Sequence, residues 1–265
     1  MIGSVKEKCY VRSVGGMHWL MWYCFSRAYG NILVAEYPKS GASWFSNMLA
    51  DATGVPYPQN FAFPKLEHSI LHGVYLYHSR FEKVICVVRD GRDVMVSAYY
   101  HFLFKNEKNK EFAINRTRKL NPFEDYNDIK TNLPNFIKFM FTTYSVKGSV
   151  MRWDQFVESY LGRTNVHIVK YEDLLLDATL ELRKAISFLN IELPSDKKLQ
   201  SVVEKFSFEK MSSRKPGEEN TSSFYRKGVA GDWKTKFSRE SCTLFDTFAG
   251  ETLVKLGYEK DRSWF

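Results

Sequence analysis

The sequence is poor in cysteine: Cys9, Cys24, Cys86 and Cys242 are its four, and no two form a CxxC pair. A zinc site built on paired cysteines is therefore not expected. Cys86 lies inside an apolar run and reads as a buried, reduced thiol, which suits a cytoplasmic location. Long hydrophobic runs are lacking too. The aromatic-rich stretch at residues 17–25 (MHWLMWYCF) is too short to cross a bilayer, and Arg27 follows it closely. No basic segment leads into a small-residue cleavage site, so no transmembrane or secretory element is expected. The stretch reads as buried or capping structure, with an interfacial anchor as the competing reading. No Walker A glycine loop, no G-x-S-x-G nucleophile elbow, no metal-ligand spacing and no internal repeat occurs.

What is present fits a folded, globular chain: hydrophobic residues make up 44% and charged residues 26%. The aromatic share of 16% supplies either an aromatic-rich core or flat walls for a ring-bearing ligand. Lys and Arg number 38 against 30 Asp and Glu, a formal net charge of +8. Such a balance favours nucleic acid, an acidic lipid surface, or a phosphorylated or sulfated ligand, and an unspecialised basic surface satisfies it equally.

Apolar runs ending in turn or helix-start signals predict a parallel sheet covered on both faces. Four strands are expected, at residues 31–37 (NILVAEY), 69–77, 83–88 (KVICVV) and 165–170 (NVHIVK). Helices are expected at residues 43–52, 90–104 and 178–190. This alternation predicts an α/β class, a central parallel sheet flanked by helices. No linker-like break divides the chain, so one domain over residues 31–265 is expected, preceded by an aromatic-rich segment, 1–30. Residues 105–134 read as polar and irregular, and residues 212–226 (SSRKPGEENTSSFYR) as a long loop.

Three segments carry anion-binding chemistry. After the first strand comes Tyr37-Pro38-Lys39-Ser40-Gly41-Ala42-Ser43-Trp44, at a strand–loop–helix junction whose unpaired N–H groups suit a phosphate. Gly41 permits close backbone approach, Ser40 and Ser43 offer hydroxyls, and Lys39 adds a charge. The lysine precedes the glycine, unlike Walker A. After the third strand comes Arg89-Asp90-Gly91-Arg92-Asp93, with Ser97 two turns onward. Arg89 stands at the sheet edge where open parallel sheets bind ligands, and it suits bidentate phosphate contact. An Arg–Asp cluster tying a loop together is the competing reading. Near the C-terminus, Arg226-Lys227-Gly228-Val229-Ala230-Gly231-Asp232-Trp233-Lys234 reads either as a second phosphate wrap or as a solvated basic turn.

Together, in this order and spacing, these segments resemble the cytosolic-type sulfotransferases that use 3′-phosphoadenosine 5′-phosphosulfate (PAPS). That family carries a YPKSGTTW-like loop, an R-[DN]-x-[KR]-D-x-x-V-S segment and an RKGxxGDWK tail, so the resemblance covers about residues 31–258. It implies a P-loop nucleotide-kinase-like fold and transfer of a sulfuryl group to a hydroxyl or amine of a small acceptor. It implies that Lys39, Ser40, Gly41, Ala42 and Ser43 hold the 5′-phosphosulfate, with Ala42 replacing the usual threonine. Trp44, Tyr171 and Phe208 would lie beside the adenine. Arg89, Ser97, Arg226, Lys227 and Gly228 would bind the 3′-phosphate. PAPS is then the donor cosubstrate, and no metal is needed when lysine and arginine supply the charge.

In-line sulfuryl transfer asks for a cation at the leaving oxygen, a role that fits Lys39, and a base at the acceptor proton. The resemblance implies a histidine base between the first and third strands, but the family's Lys-Thr-His triplet is absent. His72, on the expected second strand, and His68, just before it, are both candidates, whereas His78 reads as a surface residue. The cation-rich stretch at residues 105–119 reads as a solvated lid or as an attractor of an anionic acceptor. Phe61, Phe63, Tyr75, Tyr77, Tyr99, Tyr100, Phe102 and Phe104 could wall an apolar acceptor pocket or fill the core. The family's K-x-x-x-T-V-x-x-x-E dimer motif is not matched at residues 234–243, leaving the oligomeric state open. The alternatives are a P-loop-like nucleotide kinase and a non-catalytic nucleotide- or nucleic-acid-binding module.

Overall fold

A computed structural model describes residues 13–14, 16–58, 65–146 and 149–265. Cys9, Phe61 and Phe63 lie outside the described residues. The chain forms two compact units, Met1–Val88 with Tyr160–Met211 and Arg89–Ser159 with Ser212–Phe265. In chain order the strands are β1 (Ile32–Glu36), β2 (Ile70–Gly73), β3 (Val84–Val88), β4 (Ser145–Val146), β5 (Ser149–Val150) and β6 (Val166–Lys170).

The first unit is built on a parallel sheet of order β2-β1-β3-β6. β1 and β3 are buried along their whole length, which is why they read as unbroken apolar runs. The helices Ala42–Thr53, Tyr171–Leu189 and Asp196–Lys205 belong to the same unit. Val34, Ile85 and Val87 from the sheet share a core with Phe45, Leu49 and Leu182 from the helices. Each such side chain contributes about 1.5–3 kcal/mol when fully buried. This is the P-loop-like α/β architecture expected from the sequence.

Two boundaries differ from the sequence reading. The second strand stops at Gly73 rather than 77, its last pair to β1 being Ala35 with Gly73. The chain then folds back so closely that a β-carbon on Gly73 would stand 2.2 Å from the Tyr75 ring. The last long helix of this unit starts at Tyr171 rather than 178. Glu172 and Asp173 favour that start by opposing the helix dipole. Asp177 leaves helical geometry (φ −151°), and its carboxylate accepts from Leu180 N at 2.9 Å, capping a second segment near the expected start.

The second unit holds the helices Gly91–Leu103, Glu111–Leu120, Ile129–Thr142, Trp233–Lys236 and Arg239–Lys255. Asp90 caps the first of these by accepting from Arg92 N at 2.9 Å. Gly91 is required there, since a β-carbon would meet Phe245 and Trp153 at 2.7 Å. Residues 105–134, expected to be irregular, contain one helix and the start of another. Glu111–Leu120 buries only Ile114, so its polar composition conceals it. Pro134 lies inside Ile129–Thr142, a helix held by its capping Asp128 and by Asn132, which donates to Tyr99 Oη at 2.9 Å. Apart from Ser212, which ends the short helix Phe208–Ser212, residues 212–226 form a loop without regular structure, cross-tied by Gly217 N to Lys227 O at 2.8 Å and Asn220 N to Arg226 O at 2.9 Å.

Near the N-terminus, Met21 and Trp22 are buried whereas Trp19 and Phe25 are exposed, so residues 17–25 are only half accounted for by packing. Among the described residues no helix is long and apolar enough to cross a membrane. His78, expected at the surface, is half-buried, packing 4.8 Å from the Tyr23 ring and 6.0 Å from Phe81.

Candidate active site

In the first unit, β1 runs into the loop at residues 37–41 and then into the helix Ala42–Thr53. The turn is made by two left-handed residues, Lys39 (φ 76°) and Gly41 (φ 99°). Gly41 caps the helix, and its carbonyl accepts from Trp44 N at 3.0 Å and Phe45 N at 3.1 Å. The Tyr171 ring lies over Gly41, where an added β-carbon would stand 2.8 Å from Cδ2. Ser40 is fully buried, and its hydroxyl has no hydrogen-bond partner among the described residues. A buried orphan hydroxyl in an N–H-rich turn fits an oxyanion ligand.

Trp44 is fixed through its indole N–H, which donates to Phe206 O at 2.7 Å, and it meets Tyr171 edge-on with ring centroids 6.0 Å apart. Tyr171 and Phe208 are half-buried members of the same unit. The three aromatics assigned to the adenine by resemblance are thus held in the unit that carries the phosphate loop.

Behind this loop stands Glu36, a residue that sequence reasoning missed. Its Oε2 accepts from Ala42 N at 2.9 Å, and its Oε1 lies 2.8 Å from Nε2 of His72. Ala42 therefore supplies no hydroxyl, and its own N–H is given to Glu36. Burial opposes ionisation of Glu36. The facing His72, its hydrogen bond, the Ala42 N–H and the Lys39 charge outweigh burial and hold the carboxyl below the usual carboxylate range. His72 is buried, with Nδ1 2.9 Å from the Tyr57 hydroxyl. His68 is exposed, on the segment before β2. Of the two histidine candidates, only His72 is connected to the phosphate loop.

In the second unit, Arg89 directly follows β3 and donates from Nη2 to Val229 O at 3.1 Å. Ser97 is buried on the helix Gly91–Leu103. Asp93 on that helix accepts from Gly231 N at 2.6 Å and Trp233 N at 2.9 Å, and lies 3.7 Å from Arg89. One carboxylate thereby binds the Gly-Asp-Trp turn and faces Arg89. Asp232 takes Arg226 at 2.6 Å and Lys227 at 2.5 Å. Burial opposes its ionisation, and those two cations outweigh it, so its carboxyl is held below the usual range. Arg226 also pairs with Glu219 and lies 4.9 Å from the Tyr100 ring centre. Arg89, Ser97, Arg226, Lys227 and Gly228 all fall in this unit.

The competing Arg–Asp reading is realised too, by Arg89 against Asp93 and more closely by Arg92. Its guanidinium pairs with Asp90 at 2.7 Å and with Glu259, and lies 3.8 Å from the Trp233 ring centre. Asp93 and Asp232 sit inside motifs visible in the sequence, yet their role as organisers of the cations was not readable there. Glu36 left one weak signal, an acid closing an otherwise apolar strand.

The first unit carries a strand–loop–helix turn suited to an anion on a P-loop-like sheet, and the second carries a cluster of cations organised by Asp93 and Asp232. The chain belongs to the sulfotransferase domain family, whose model matches residues 77–257, and it is a sulfotransferase. The phosphate loop lies upstream of that matched span. Curated relatives include Sulfotransferase 1A1 of Canis lupus familiaris, 27% identical and covering 82% of this chain and 81% of its own length. Sulfotransferase 6B1 of Danio rerio is 26% identical, over 82% of this chain and 76% of its own. Mouse sulfotransferase SULT7A1, solved with PAP, shares the fold with TM-score 0.64 and 21% identity, covering 92% of each chain. Retinol dehydratase, solved with retinol and PAP, aligns with TM-score 0.61 and 16% identity over 93% of this chain and 86% of its own.

Proposed function

We propose that the chain transfers the sulfuryl group of PAPS to a hydroxyl or amine of a small acceptor, releasing adenosine 3′,5′-bisphosphate (PAP). The observation that carries this reading is the left-handed Lys39–Gly41 turn with its buried orphan Ser40 hydroxyl, in a chain of the sulfotransferase domain family. Lys39, Ser40, Gly41 and Ser43 take the 5′-phosphosulfate, Lys39 opposing the charge that grows on the leaving oxygen, whereas Ala42, its N–H committed to Glu36, offers it no donor. Trp44, Tyr171 and Phe208 take the adenine. Arg89, Ser97, Arg226, Lys227 and Gly228 take the 3′-phosphate, each charge-assisted hydrogen bond contributing about 1.5–3 kcal/mol.

The base is His72 rather than His68, because His72 alone shares a partner with the phosphate loop. The acceptor is apolar or aromatic. Half-buried Tyr75 and Tyr77 in the first unit, and Phe102 and Phe104 in the second, support this, whereas Tyr99 and Tyr100 are buried in the core. A cytoplasmic location is supported by the unbridged thiols of Cys24, Cys86 and Cys242.

The test is turnover with sulfur-35-labelled PAPS across phenol, alcohol, lipid, glycan and amine acceptors. Label in an acceptor with equimolar PAP is the expected result. Transfer of the ATP γ-phosphate with no consumption of PAPS would overturn it.

A further inference from the structure

Three side chains of the first unit form a row that anion binding does not require. The Tyr57 hydroxyl lies 2.9 Å from Nδ1 of His72, and Nε2 of His72 lies 2.8 Å from Oε1 of Glu36. The remaining Glu36 oxygen holds Ala42 N at 2.9 Å, so the row ends on the phosphate loop. His72 and Glu36 are 6% and 8% exposed, whereas Tyr57 is half-buried. An ionised Glu36 only accepts, so Nε2 of His72 carries a proton toward it. With that proton on Nε2, an Nδ1 that carries none accepts from the Tyr57 hydroxyl. Both ring nitrogens of His72 are engaged within the row, and Tyr57 is the row's least buried member.

We propose that the Tyr57 hydroxyl is the acceptor-facing member of this row, with His72 behind it as the base and Glu36 as a positioning residue. The proposal rests on the sulfotransferase reading above and deepens its assignment of the base. For a hydroxyl acceptor, the acceptor O–H bond breaks and its proton passes to the Tyr57 oxygen, while the Tyr57 proton moves to Nδ1 of His72. The electron pair left on the acceptor oxygen forms the new bond to sulfur. The bond from sulfur to the bridging oxygen breaks, and its electrons leave with PAP. The imidazolium so formed stands against the Glu36 carboxylate. Among the described residues, Lys39 from the loop and the Cys86 thiol from β3 also act on that carboxylate electrostatically or are acted on by it. Burial first, and Glu36 second, push that thiol's pKa up, keeping it protonated.

Two variants and a labelled residue test this. In Tyr57→Phe, kcat should fall about 100-fold, the size of a general acid–base contribution, while PAP affinity stays within about twofold. In Glu36→Gln, kcat should fall, and Glu36→Asp should recover part of it. Replacing Tyr57 by 3,5-difluorotyrosine preserves shape but makes the phenol more acidic. The alkaline limb of the kcat profile should then move to lower pH, a change that a merely structural tyrosine would not produce. A folded Tyr57→Phe protein with wild-type kcat, or a fluorotyrosine profile that does not move, overturns the proposal while leaving the sulfotransferase reading intact. Should the wild-type enzyme itself form no PAP from PAPS, both fall together.

Discussion

Gly41 lies so close beneath Tyr171 that a β-carbon added to it would stand 2.8 Å from Cδ2 of that ring. The contact joins the phosphate loop to the first turn of the helix Tyr171–Leu189, and Gly41 holds φ 99°, a conformation that side chains with a β-carbon adopt only under strain. Gly41→Ala should therefore destabilise the protein by about 1–3 kcal/mol. PAP binding should weaken at the same time, because the displaced ring and the altered turn both belong to the proposed donor site. Thermal melts with and without PAP measure the two effects separately.

The Arg226 guanidinium, proposed to meet the 3′-phosphate, pairs with both Asp232 and Glu219. Arg226→Ala should weaken PAP binding by about 10- to 100-fold, the loss of one charge-assisted contact, and leave the weaker binding of AMP nearly unchanged. Glu219→Gln should tighten PAP binding, since it removes a carboxylate that competes with the phosphate for this cation. Titration calorimetry with both nucleotides checks each direction.

His68 is exposed, whereas His72 is buried between Tyr57 and Glu36. Turnover in His68→Ala should stay within about twofold of wild type, and that of His72→Ala should fall at least about 100-fold. Steady-state rates at saturating PAPS distinguish the two.

Glu36 gives a pH dependence whose sign follows from its environment. Its carboxyl is held below the usual range in the folded chain, burial being outweighed by His72, Ala42 N–H and Lys39. The stability it contributes is therefore fully present above the unfolded value near pH 4.3 and is lost as pH falls through the folded value. Urea midpoints should drop more steeply below about pH 5 in wild type than in Glu36→Gln. Parallel curves would show that Glu36 is not ionised in the fold.

The sheet was legible because β1 and β3, covered on both faces, leave continuous apolar runs, and the three segments proposed to bind anions stood out because each is a short local motif. What depended on distant pairing was not. Glu36 acquires meaning only through His72 and Ala42, and Asp93 only through Gly231 and Trp233. The helix Glu111–Leu120 escaped notice because it buries a single side chain, Ile114. His72 could be named as a candidate from its place on a strand, but its separation from His68 required the hydrogen bonds.

The most direct test of the donor assignment is the affinity of the wild-type protein for PAP set against its affinity for AMP, measured by calorimetry under one set of conditions. Binding at least about tenfold tighter to PAP is expected, because in the proposed site the 3′-phosphate would add charge-assisted contacts that AMP cannot make. Equal affinity for the two nucleotides would contradict PAPS as the sulfuryl donor.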